Sequence, residues 1–221
     1  LPPTVEAVTD WARFLPLSNR DRGDESHVSR NWSRAASGML LSIAAVLDAR
    51  PESLDQPTLR AEVSVAEAVR EVLVQLHSSR WSRAAARIGA VESASPETAS
   101  LSDGELADAV QSEALARSAA RARTSVRELG VVLVLALDLR ASIGATIEVD
   151  PFVSGAVALD LAVRAPHPRR AVVTARSLVA IDGDWRVGRG PELPATAASI
   201  VLFLAGRGGV PPQAPSSDVA D

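Results

Sequence analysis

Side chains able to do chemistry are scarce in this chain, which has three histidines, no cysteine and no tyrosine among its 221 residues. Without cysteine there is no disulfide, no thiolate metal site and no cysteine nucleophile, so thiol chemistry needs a thiol from outside. His27 lies in a polar N-terminal stretch and His167 in a Pro-rich loop, where both read as solvated loop residues. His77 falls on a helix. No GxSxG elbow, GxxxxGK[ST] phosphate loop or HExxH pair occurs. The GRG of residues 188–190 reads as a hairpin end, and Asp182-Gly183-Asp184 as a tight turn.

The element that must position any site is the stretch from Thr124 to Gly144. Nine residues from Leu129 to Leu137 carry no polar side chain, so as a helix it is buried on nearly all sides. Ser125-x-x-Glu128 is a capping box that starts the helix, and Gly144 stops it. A buried strand over Val131 to Leu137 is the alternative, because periodicity alone does not separate the two. Trp32, Ala36, Met39, Leu40, Ile43 and Leu47 fall at helical spacing in a first helix over residues 29–49. Ser64-x-x-Glu67 opens a second that reaches about Ala90, and Ser102-x-x-Glu105 opens a third that reaches about Arg121.

Four helices with modest connectors predict a four-helix bundle over residues 29–145. An arm of residues 1–28, with a short helix around Val5 to Phe14, precedes it. After Gly144 the pattern changes. Asp150-Pro151 starts a helix that ends at PHPRR, AVVTARSLVAI reads as a strand, WRVGRG as its hairpin partner, and ATAASIVLFLAGR as a last helix. This predicts an α+β chain whose residues 146–207 form a small helix-strand-strand-helix domain. Residues 208–221, rich in Pro, Ser and Gly, read as a disordered tail.

A net charge of −4 gives no electrostatic case for nucleic acid. All 23 basic residues are Arg, which with so much Ala reads as the codon bias of a GC-rich genome. The longest apolar run is well short of the roughly 20 residues that cross a bilayer, and no basic-then-apolar leader opens the chain. The expectation is a cytoplasmic protein without membrane or nucleic-acid partners, for which a small-molecule ligand is possible and the oligomeric state is left open.

Two regions resemble the mycothiol-dependent maleylpyruvate isomerase family. One is PTLRAEVSVAEAVREV, residues 57–72. The other is the ordered series RTSVRELG, VDPFVSGAVAL, LVAIDGDWRVGRGPEL and LFLAGR, ending at Arg207. The resemblance implies a DinB-like four-helix bundle followed by a sterol-carrier-like α/β domain. It also implies a zinc held by a His of the second helix and by a Glu and a His four apart on the fourth, with mycothiol in the open position. Residues i and i+4 share a helix face, so such a set is sound chemistry. Here the three positions fall on Glu71, Glu128 and Val132. Valine offers no donor atom, so the metal site is expected to be degraded and no cofactor is expected. Glu71 also reads as an exposed helix residue, and Glu128 as the N3 residue of its cap. Arg207 is a candidate anchor for a substrate carboxylate. The function expected is therefore that of a divergent relative of a metal- and thiol-dependent isomerase or transferase acting on small carboxylate compounds. The alternatives are a non-catalytic binding protein and a metal-independent enzyme of secondary metabolism.

Overall fold

The computed structural model describes residues 31–60, 62–88, 101–119, 123–207 and 212, with residues 78–88 described in backbone alone. The N-terminal arm and nearly all of the tail expected from the sequence lie outside the described residues.

Seven helices and three short strands make a mixed α+β fold that is mostly helical. The first four helices are α1 (Ser33–Ala49), α2 (Val65–Ile88), α3 (Leu106–Ala119) and α4 (Val126–Ile143). All three capping boxes form. Ser64 N donates to Glu67 at 2.8 Å, Ser102 N to Glu105 at 2.9 Å and Ser125 N to Glu128 at 2.9 Å. The exposed Glu105 carboxyl is held below its usual range by the Ser102 hydroxyl and amide. Ahead of α3 the Ser102 box opens a 3-10 turn, Asp103–Glu105, which leads into the α-helix. Gly144 closes α4 in the left-handed conformation, at φ 63°.

Helix directions follow from contacts at the two ends. Trp32 N donates to Thr124 O at 3.1 Å, and Arg50 Nη1 donates to Ile143 O at 2.9 Å, so α1 and α4 run the same way. Arg117, near the end of α3, reaches Thr124 at the start of α4, so α3 runs the opposite way. Leu59, just ahead of α2, donates its amide to Asp138 near the end of α4, so α2 is also reversed. Both α1 and α2 pack against α3 and α4, which puts α1 and α2 on opposite corners. Residues 50–64 therefore cross the end of the bundle diagonally.

The remaining elements are α5 (Pro151–Arg164), α6 (Arg169–Ala175), β1 (Ser177–Ala180), β2 (Arg186–Gly188), β3 (Glu192–Ala195) and α7 (Ala197–Ala205). The expected order helix, strand, strand, helix is corrected to helix, helix, strand, strand, strand, helix. AVVTA carries the β-branched residues of a strand, but it is helical: Val172 and Val173 pack half-buried on the core from α6, and packing overrides propensity. The third strand was hidden by Pro194. It lies on the sheet edge, pairing with β1 alone, where a missing N–H is tolerated. The sheet order is β2-β1-β3, with β2 antiparallel and β3 parallel to β1. Asp182, in the β1–β2 turn, also accepts the Ala197 amide at 2.6 Å and so helps cap α7.

Both α5 and α7 pack on α4, and one hydrophobic core runs without a break from Ala36 in α1 to Leu204 in α7. Leu129, Val132, Leu133, Ala136 and Leu139 of α4 are fully buried within it. The helical reading of the 129–137 run holds because the helix is covered from both sides.

Between β2 and β3 the chain passes the start of β1 through Gly188 and Gly190, at φ 102° and 105°, against the backbone of residues 173–176. A Cβ on Gly188 would lie 2.3 Å from the Arg176 carbonyl oxygen. Gly188→Ala is expected to cost about 1–3 kcal/mol in urea unfolding. Gly38→Ala, on the exposed face of α1 with open space around its Cβ, is expected to leave stability unchanged or raise it by up to about 1 kcal/mol.

Candidate functional site

Charged side chains gather at two places around α4, one inside the bundle at its start and one in a cleft along its outer face. Near its start, the Glu128 Oε2 that completes the capping box also accepts the Ser125 hydroxyl at 2.7 Å. Its other oxygen faces the Arg117 guanidinium at 3.3 Å. Arg117 in turn donates its Nε to Glu113 at 2.7 Å, and Glu113 lies 3.6 Å from His77 Nε2. Arg117, Glu113 and Glu128 are all buried. A guanidinium between two carboxylates inside the bundle makes a structural network fixed to α1 through Ser33 and Thr124, whose hydroxyls are 3.1 Å apart, and it leaves Arg117 Nη2 buried without a hydrogen-bond partner.

Along α4, from Arg127 in its first turn to Asp138, an open cleft of about 230 Å³ lies between the bundle and the C-terminal layer. Glu71 and Gln75 of α2, Arg127 and Asp138 of α4, Arg164 of α5 and Arg207 after α7 supply its polar lining. Val72, Val131, Val134, Leu135 and Leu161 supply an apolar wall. Asp138 is 1% exposed and accepts the Leu59 amide at 2.8 Å. Arg207 Nε stands 3.6 Å from the other Asp138 oxygen, close enough to attract and too far for a hydrogen bond. That Nε is buried with no hydrogen-bond partner, as is Arg60 Nε beside it in the connector. Arg60 spends one of its terminal nitrogens on Glu71, at 2.5 Å. Burial first, and then the Arg60 charge, push the Arg207 guanidinium below its ordinary range, while Asp138 and Glu71 pull the other way. The cleft thus holds a cation that its surroundings compensate incompletely.

Of the positions expected from the sequence, Arg207 and Glu71 line this cleft. Glu128 and Val132 do not. Arg127, Val131, Val134 and Asp138 mark the cleft face of α4, whereas Glu128 and Val132 lie about 100° around the helix in the bundle interior. The three positions are therefore not brought together. Nor do they fit a zinc: Val132 has no donor atom, both Glu128 oxygens are already bonded, and Glu71 is ion-paired to Arg60. Among the described residues, no group of three or more His, Asp or Glu side chains is placed to hold a metal ion. His77 faces α3 and is separated from Glu71, as its position 120° around α2 implies.

Sequence reasoning missed Asp138, Arg60, Arg127 and Arg164 in the cleft, and Arg117 with Glu113 in the network. Two signals were present. Asp138 is the single charge between Leu129 and Leu139, in a stretch patterned for burial, and Glu113 and Arg117 stand at i,i+4. No family model matches the chain, and no curated protein and no solved structure matches it.

Arg117→Met leaves two buried carboxylates facing each other and is expected to cost about 3–5 kcal/mol by equilibrium denaturation. Glu71→Gln breaks a half-exposed pair, and is expected to cost no more than about 1 kcal/mol.

Proposed function

We propose that this chain binds a small carboxylate-bearing molecule in the cleft beside α4, with Arg207 as the anchoring cation. The observation that carries this reading is the buried Arg207 Nε, which has no hydrogen-bond partner and stands 3.6 Å from Asp138. A guanidinium presents a planar fork of donors that a carboxylate satisfies in two parallel hydrogen bonds. The apolar wall of valines and leucines suits the hydrocarbon part of such a ligand.

In this reading the protein is a divergent relative of the mycothiol-dependent maleylpyruvate isomerases that keeps their fold and cleft without the metal and thiol chemistry. Support comes from where the resembling segments meet. The PTL segment gives Asp138 the Leu59 amide, and the terminal AGR brings Arg207 to the same carboxylate. VDPFVSGAVAL and IDGDWRVG dock on each other through Trp185, whose indole N–H donates to Ser154 at 3.1 Å and whose ring lies against Gly155. Up, down, down, up helix order also fits a DinB-like bundle. Zinc chemistry finds no support in the donor set described above, which favours a binding protein over an inherited isomerase.

Titration calorimetry with a panel of small mono- and dicarboxylates tests the reading. Binding by at least one of them is expected, weakened at least about tenfold by Arg207→Gln, since a hydrogen bond to a charged group contributes about 1.5–3 kcal/mol. Asp138→Asn removes the competing anion and is expected to tighten binding. Affinities unchanged by both substitutions would sink the proposal. In a protein purified without chelator and then incubated with zinc, mass spectrometry is expected to find no stoichiometric metal; about one tightly held zinc per chain would restore the metal-dependent reading.

A further inference from the structure

The Asp138 end of the cleft is electrically balanced by the protein itself. Arg60 and Arg207 stand there against Glu71 and Asp138. Of the other cations in the lining, Arg164 is paired with Asp160 on its own helix, and Arg127 lies about 16 Å back along α4 from Asp138. A ligand with one negative charge therefore adds charge that nothing at this end offsets, and it brings a second carboxylate up to the buried Asp138. A ligand carrying both signs adds no net charge.

The hydrogen-bonding positions left open at this end are also of both signs. Arg207 makes no hydrogen bond to any described residue. Asp138 gives Oδ1 to the Leu59 amide, while Oδ2, on the Arg207 side, accepts no hydrogen bond among the described residues. Glu71 is the weaker acceptor, because Arg60 already donates to Oε2 and Gln75 donates to Oε1 at 3.3 Å. A fork of donors and a carboxylate oxygen thus stand side by side, 3.6 Å apart, where both residues line the cleft.

We infer that the ligand is a free α-amino acid with an apolar side chain, an inference that rests on the carboxylate reading above and narrows it. Its carboxylate accepts from the Arg207 guanidinium, and its ammonium donates to Asp138 Oδ2. An α-amino acid carries those two groups on one carbon, so they meet two protein charges that are themselves adjacent. Val72, Val131, Val134, Leu135 and Leu161 receive the side chain. At about 230 Å³ the cleft is smaller than the roughly 300 Å³ at which pockets for drug-sized ligands begin, which suits a molecule the size of one amino acid. In this arrangement Asp138 ceases to compete for Arg207 and becomes half of the recognition.

Calorimetry on the full chain tests this with valine, leucine and phenylalanine, each beside the acid it becomes without its amine and the amine it becomes without its carboxylate. For leucine these are isocaproate and isoamylamine. At least one amino acid is expected to bind at least about tenfold tighter than both of its counterparts, since each counterpart lacks a hydrogen bond between charged groups. Asp138→Asn is expected to weaken that amino acid about tenfold or more while tightening the acid. A structural effect on the cleft would instead move both ligands in the same direction. N-acetylleucine keeps the carboxylate and loses the ammonium charge, so in the unaltered protein it is expected to bind at least about tenfold weaker than leucine, which decides the matter even where Asp138→Asn does not fold. Acids or N-acetylleucine binding as tightly as the amino acids, or both ligands shifting the same way in Asp138→Asn, would overturn the amino-acid inference and leave the carboxylate reading standing. No binding by any acid or amino acid would overturn both.

Discussion

The fold depends on α4 being wrapped from two sides. A helix apolar all round is stable only where nothing but protein touches it, and a four-helix bundle alone would leave one face of α4 to water. Helices α5 and α7 cover that face. Gly130 is the position of close approach: a Cβ there would meet Val157 of α5 at 3.4 Å. The C-terminal layer is thus required by the bundle rather than hung upon it, and the cleft exists because that layer meets the bundle along an edge of α4.

The diagonal placement of α1 and α2 has a similar consequence. Residues 50–64 must cross the bundle end, and a chain crossing there runs over the C-terminal end of α4. It is closed on itself by the Pro57–Ser64 bridge, and it hands the Leu59 amide to Asp138 and the Arg60 side chain to Glu71. The topology that solves helix packing also delivers polar groups to the cleft.

Local signals were legible in the sequence wherever one residue fixes one bond. The three Ser-x-x-Glu boxes, the helix start at Asp150-Pro151 and the glycine stop at Gly144 all formed as the spacing predicts. Non-local choices were not legible. Whether AVVTA coils or extends is decided by the surface it packs on, and whether ELPA joins a sheet is decided by an available edge beside β1. The cleft was half readable. Arg207 and Glu71 were singled out by the resemblance alone, and their partners come from the connector and from α4, with Arg60 and Arg207 separated by 147 positions. Glu128 illustrates the opposite limit: its capping role was correct, yet Arg117, eleven residues earlier, decides which way its second oxygen points.

The two ends of α4 treat their carboxylates differently, and the difference explains why one end is structure and the other a candidate site. Glu128 sits in the first turn, where the helix dipole favours a negative charge, and the Ser125 amide and hydroxyl and the Arg117 guanidinium all donate to it. Asp138 lies between one and two turns from the C-terminal end, beyond the favourable N-terminal field, and it is almost wholly out of water. One amide and one guanidinium at 3.6 Å are modest compensation for such a charge. Tightening the Arg207–Asp138 contact by less than 1 Å would make a full salt bridge and neutralise the cleft. At 3.6 Å the Arg207 Nε stays without a hydrogen-bond partner beside a carboxylate that is itself almost wholly buried, and this is the feature on which the proposed carboxylate site rests.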